Sequence, residues 1–129
     1  MDSSSQKQLP LILRNMKKTF GQNIQGPITN REREYQATTK PVFIYDLINF
    51  MSVRGVNKLA AIHAWVSDDK LKLAYHFVFN IGTQMLDSKL TVVVISAKDE
   101  KSLKSIKKLF PNAGVFEEEI TKSYGVQFL

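Results

Sequence analysis

The residues best suited to chemistry are three adjacent carboxylates, Glu117, Glu118 and Glu119, and two histidines, His63 and His76. Carboxylates act as general acid and base when distinct environments push their pKa values apart. Neighbours on one helix point in different directions and are expected to be mostly solvated, so capping and partner docking are read ahead of catalysis. Two histidines invite a metal, but a catalytic zinc asks for three protein ligands and an open position. No carboxylate shares their strand face, so they are read as solvent- or partner-facing. The serines form no G-x-S-x-G elbow. Neither a Walker loop nor a G-x-G-x-x-G turn is present. No catalytic, cofactor-binding or metal residue is therefore expected, and no small-molecule substrate.

Composition narrows the field further. At 129 residues, 43% of them hydrophobic, the chain is read as one domain. A domain of this size buries roughly two-thirds of its unfolded surface and needs no metal or disulfide to fold. It has no cysteine, which excludes disulfides, thiol nucleophiles and cysteine-held clusters. No run approaches the ~18 apolar residues of a membrane span. The formal charge of +6 allows an acidic partner, an anionic surface or nucleic acid without choosing among them.

The stretch that carries the carboxylates, residues 111–129, reads as a helix leading into a short extended end. Phe116, Ile120 and Tyr124 recur every fourth residue and share one face. The glutamates are expected in the first turn, against the positive end of the helix dipole. Gly125 is placed to close the helix in a left-handed conformation.

The rest of the chain must position that tail. Residues 1–8 read as a polar, disordered end. Residues 9–18 read as a short docking helix with Leu9, Ile12, Leu13 and Met16 inward, followed by a loop over 21–27. Residues 29–38 read as one strand whose alternating charges, Arg31, Glu32, Arg33 and Glu34, suit a sheet edge. Residues 41–54 form the strongest helix, with Phe43, Leu47, Phe50 and Met51 inward, Ile44 and Ile48 widening the stripe, and Thr38 or Thr39 available as cap. Residues 58–80 read as a hairpin turning at Asp68-Asp69. That register sets Ile62 opposite Tyr75 and Ala64 opposite Leu73, with His63, Trp65 and His76 on the other face. Residues 86–97 read as a central strand buried on both faces. Residues 99–110 read as a helix capped by Asp99, with Leu103, Ile106 and Phe110 inward, Glu100 pairing with Lys104, and Lys101, Lys104, Lys107 and Lys108 outward. The sum is an α+β two-layer sandwich with helices on one face of a mostly antiparallel sheet of four or five strands.

The tail resembles the signature of the 30 kDa subunit family of respiratory complex I and of related membrane-bound hydrogenases. Ala113 stands at the family's alanine, Glu117 and Glu119 at the outer places of its Glu-Arg-Glu triplet, and Gly125, Val126 and Phe128 at its closing glycine, aliphatic and aromatic places. Ser105-Ile106 and Phe110-Pro111 match upstream steps, and Tyr75-His76 resembles a tyrosine-histidine step. Val115 replaces a usual tryptophan, Glu118 the arginine and Lys122 an aspartate.

The resemblance implies the complex I 30 kDa fold and a non-catalytic structural subunit without cofactor. It would dock the large, hydrogenase-like (49 kDa-type) subunit of a peripheral arm through Phe116, Glu117, Glu119, Tyr124, Gly125 and Phe128. It implies a cytoplasmic place at the inner face of the cell membrane, with membrane contact only through the complex. The length favours a small energy-converting hydrogenase homologue over a full NADH dehydrogenase subunit. The alternative reading is a stand-alone nucleic-acid-binding domain, with the lysines of residues 98–108 on phosphates. No aromatic RNA-recognition motif supports it.

Overall fold

The computed structural model describes residues 9–80, 86–97 and 99–129. The expected disordered tail at 1–8, and Lys98, lie outside the described residues. Helix α1 (Leu11–Phe20) starts after Pro10, whose carbonyl accepts from the Leu13 and Arg14 amides. It buries Leu13 and Met16 as its spacing predicts, while Leu9 packs from outside the helix.

The chain then departs from the expected loop and single strand. A 3-10 turn over Gly21–Asn23 leads directly into β1 (Ile24–Arg31). β1 turns back at Glu32-Arg33 into β2 (Glu34–Thr39). The charged run is thus a hairpin turn, with Arg33 in the left-handed region at φ 61°. β1 is the sheet edge and β2 lies inside it, burying Tyr35, Ala37 and Thr39 on alternate residues. The signal missed was the wide β1–β2 register shift around the Gly26-Pro27 step, where periodicity breaks although pairing resumes. Gly26 has φ +87°, and a Cβ there would sit 2.8 Å from the Gln36 carbonyl oxygen. Gly26→Ala is expected to cost about 1–3 kcal/mol, read by urea denaturation. A loss below half a kcal/mol would show that β1 relaxes freely.

A 3-10 turn, Pro41–Phe43, opens α2 (Ile44–Ser52). Its stripe is core, with Ile44, Leu47, Ile48, Phe50 and Met51 all buried. The predicted threonine cap does not form, because the Thr39 hydroxyl bonds the Lys40 carbonyl instead. The Arg54 guanidinium lies 3.6 Å over the Phe50 ring and closes the helix end.

The hairpin β3 (Lys58–Ser67) and β4 (Lys70–Asn80) has the predicted register, Ile62 opposite Tyr75 and Ala64 opposite Leu73. Asp68 and Asp69 both take the left-handed conformation that a two-residue turn requires. β5 (Asp87–Ala97) is the middle strand of the order β1-β2-β5-β4-β3, parallel to β2 and antiparallel to β4. It is buried on one face only. Leu90, Val92 and Val94 point to the core, whereas Thr91 and Val93 are half-buried and Ile95 is exposed. A β-branched run was read as two-sided burial, but the helices cover just one side of this sheet.

The largest correction concerns residues 99–110, which are not a helix. Ser102–Leu103 forms β6, a two-residue strand parallel to β7 (Gln127–Phe128). The Gln127 amide donates to the Lys101 carbonyl at 2.7 Å and the Leu129 amide to the Leu103 carbonyl at 2.9 Å. A single turn follows, where the Leu109 and Phe110 amides bond the Ile106 carbonyl. Leu103, Ile106 and Phe110 are buried as expected, because their spacing also suits an extended piece followed by one turn. The Glu100 carboxylate faces the Ser102 amide at 3.4 Å rather than Lys104, whose ammonium lies over the Tyr45 ring. Lys101, Lys104, Lys107 and Lys108 are exposed as expected, but on a non-helical segment. Helix α3 (Ala113–Tyr124) completes the chain before β7. The result is the expected α+β architecture, a mostly antiparallel five-stranded sheet with helices on one face.

Candidate interaction surface

Helix α3 is fastened to β3, the sheet's other edge, at both ends. Asn112 directs its side-chain amide away from the helix start and donates to the Leu59 carbonyl at 2.9 Å. At the last residue of the helix, the Tyr124 hydroxyl donates to the Ala64 carbonyl at 3.0 Å. Outward carbonyls of an edge strand are thereby covered. Gly125 ends the helix with φ 73°, its amide bonding the Thr121 carbonyl. Asparagine before a helix is readable as a cap; its partner 53 residues away is not.

The glutamates separate into two kinds. The helix begins at Ala113, so all three lie beyond its first turn and the expected dipole contact is absent. Glu118 and Glu119 are exposed, but Glu117 is only 5% exposed. Its carboxylate accepts from the Ser105 hydroxyl at 2.7 Å and from the Ile106 amide at 3.0 Å. The expectation of a solvated Glu117 is corrected: it ties the 99–110 segment to α3. Tyr75 lies within its field. Burial first, then the Glu117 charge, pushes the Tyr75 hydroxyl well above its usual pKa and keeps it neutral.

Of the other tail residues named from sequence, Phe116, Tyr124 and Phe128 are half-buried and Glu119 and Gly125 exposed. Val115, one residue before Phe116, is 67% exposed. Ala113, Glu117 and Val126 match the signature and are buried. Val115, Glu118 and Lys122 depart from it, and all three are exposed.

A second surface lies on the sheet face opposite the helices. Cross-strand register sets Ile28, Gln36, Thr91, His76 and Ala61 in one row and Thr38, Val93, Ala74 and His63 in the next. As expected, His63, Trp65 and His76 share this face. The structure adds that the imidazoles touch: His76 Nε2 is 3.1 Å from His63 Nδ1, and His76 Nδ1 is 3.0 Å from Thr91 Oγ1. The two rings lie nearly parallel, and His63 rests 5.4 Å from the Trp65 ring.

Burial, and then the neighbouring His63, lower the pKa of His76 from its ordinary 6.5. The unfolded chain therefore takes up this proton more readily than the folded one. Its contribution to stability is complete above pH 6.5 and declines as pH falls through that value toward the folded pKa. Thermal melts at pH 7.5 and 5.5 should show a Tm drop at the acid end that His76→Gln reduces. An identical drop in the variant would remove His76 from the account.

The profile of the family described as respiratory-chain NADH dehydrogenase, 30 Kd subunit, matches residues 37–129, well over half of the chain. The chain belongs to that family. Among curated protein sequences, none matches significantly. One similar solved structure is a chain of the membrane-bound sulfane sulfur reductase, an archaeal respiratory membrane complex. It shares 20% identity at a TM-score of 0.75, over 91% of this chain and 68% of that one. Another is a trypsin-resistant fragment of Nqo5, with 17% identity, a TM-score of 0.70, and 91% and 92% of the two chains covered. At such identities these structures testify to the fold. The family match runs from the second half of β2 through β7 and includes both partners of the Glu117 fastening.

Proposed function

We propose that the protein is a non-catalytic structural subunit of a complex I-like respiratory membrane complex, docking the large hydrogenase-like subunit of its peripheral arm. Its contribution is complementary surface, and electrons pass through its neighbours. The observation that carries this reading is the division of the tail. The buried residues Ala113, Glu117, Ile120 and Val126 hold the fold, while Val115 stands 67% exposed, next in sequence to half-buried Phe116. An apolar side chain in that position, rimmed by Glu118, Glu119 and Lys122, is the pattern of an interface core with a polar rim. Membership of the family supports the class of partner. Association with the membrane would be peripheral and through the complex, on its cytoplasmic side. Among the described residues no helix is long and apolar enough to cross a bilayer.

Co-purification with the large subunit of the same source is the test. Val115→Glu is expected to weaken recovery by about tenfold or more, a central apolar contact being worth over 1.4 kcal/mol, with the Tm unchanged. Undiminished recovery would move the interface elsewhere. Recovery of nucleic acid instead, lost steeply with salt, would favour the alternative reading of a nucleic-acid-binding domain.

A further inference from the structure

We propose that His63 and His76 form a chelating pair for one borderline divalent cation, of the copper(II), nickel(II) or zinc class, on the open face of the sheet. The spacing is the first argument. Metal–imidazole bonds of about 2.0–2.1 Å place two adjacent ligand nitrogens of one ion about 2.9–3.4 Å apart. His76 Nε2 and His63 Nδ1 are 3.1 Å apart. Two imidazole nitrogens facing each other at that distance need something positive between them. Either one proton is shared, or a metal ion replaces it.

Tautomer control is the second argument. His76 Nδ1 lies 3.0 Å from the Thr91 hydroxyl oxygen. A proton on Nδ1 donated to that oxygen leaves the lone pair on Nε2, the nitrogen turned toward His63. A hydrogen bond of this kind on the far ring nitrogen orients a ligating histidine and raises its basicity.

Access is the third. His63 is exposed and His76 half-buried, and the neighbouring groove is bordered by Glu34 and Lys89. Among the described residues no group of three ligand-type side chains assembles. The remaining positions therefore belong to water or to a donor brought by a docked molecule. Such an open, nitrogen-only pair selects by imidazole preference, so copper(II) should bind most tightly and magnesium and calcium not at all. The sequence alone counted two ligands and stopped there; their mutual distance and the Thr91 contact come only from strand register.

Trp65, the single tryptophan, supplies the readout because its ring is 5.4 Å from that of His63. The full chain, free of any affinity tag, is titrated with copper(II) while Trp65 fluorescence is followed. Zinc, which does not quench, is titrated by calorimetry in parallel. The expected result is saturable quenching at one equivalent, weakened more than about tenfold by either His63→Ala or His76→Ala. Thr91→Val, which preserves shape, should weaken binding by roughly 10–100-fold through loss of orientation. Melting curves confirm that each variant is folded. Quenching that never saturates, or that survives in the histidine variants, overturns the proposal. Unaltered affinity in Thr91→Val overturns it too, since the pair would then be two surface imidazoles without a built site. The outcome is independent of whether the tail docks a large subunit.

Discussion

Glu117→Ala is expected to destabilise the protein by about 2–4 kcal/mol, whereas Glu118→Ala should stay within about half a kcal/mol. The difference lies in what each carboxylate touches. Glu117 accepts two hydrogen bonds, from the Ser105 hydroxyl and the Ile106 amide, at a site 5% exposed. Bonds to a charged acceptor contribute roughly 1.5–3 kcal/mol each, and the orphaned amide of buried Ile106 carries its own desolvation penalty. Part of this is offset because a buried charge no longer has to be desolvated. At this chain length the change corresponds to a Tm drop of about 10 °C. Glu117→Gln keeps the shape and one acceptor oxygen, and should fall between the two. Ser105→Ala should cost about 1 kcal/mol, and a cycle of the two changes should show positive coupling, because they break the same bond. Urea denaturation measures all of these. A Glu117→Ala variant as stable as Glu118→Ala would mean that the segment before α3 is held by its apolar residues alone.

Val126→Asp should be the most damaging single change in the tail, at about 3–5 kcal/mol, as expected for an unpaired charge in an apolar site. Val126 is 1% exposed and belongs to the core cluster. Its neighbour Gln127 is exposed, so Gln127→Asp serves as control and should be nearly neutral. The damage should be directional. Displacing Val126 draws β7 away from β6 and frees the Gln127 and Leu129 amides, together with the Ser105 amide that donates to the Leu129 carbonyl at 2.9 Å. Hydrogen exchange should therefore accelerate at Ser105, Gln127 and Leu129 while the amides of β4 keep their protection. Uniform loss of protection would contradict a locally fastened tail, and equal effects of both substitutions would contradict the alternation of burial there.

Both results concern residues that match the family signature, and both give those matches a structural meaning. Ser105-Ile106 and Glu117 are two steps of one hydrogen-bonded junction. Gly125, Val126 and Phe128 end a helix and add a strand to it. The positions that differ from the signature, Val115, Glu118 and Lys122, are exposed and have no part in that junction. A surface can change with its partner while the junction beneath it stays the same.

Local periodicity was enough for much of the molecule. The stripe from Ile44 to Met51 is a helix facing the core because one face of a 3.6-residue repeat carries its apolar side chains. The β3–β4 register follows from alternation and a two-residue turn, which together put Ile62 opposite Tyr75 and His63 beside His76. Those inferences need only neighbours in sequence or across a tight turn. The Arg31 to Glu34 charges misled because a polar, alternating run suits an edge strand and a hairpin turn equally.

The amino-acid order by itself determined which side chains are inside, since Leu103, Ile106 and Phe110 are buried whether their backbone is helical or extended. Tertiary structure alone decided the backbone between them. The carbonyls of Lys101 and Leu103 find their donors on β7, and the Ile106 amide finds its acceptor on Glu117. Spacing within a segment reports the direction of its side chains. It carries no record of a hydrogen-bond partner supplied from a distant part of the chain, and a backbone that can be satisfied from elsewhere has no need to coil.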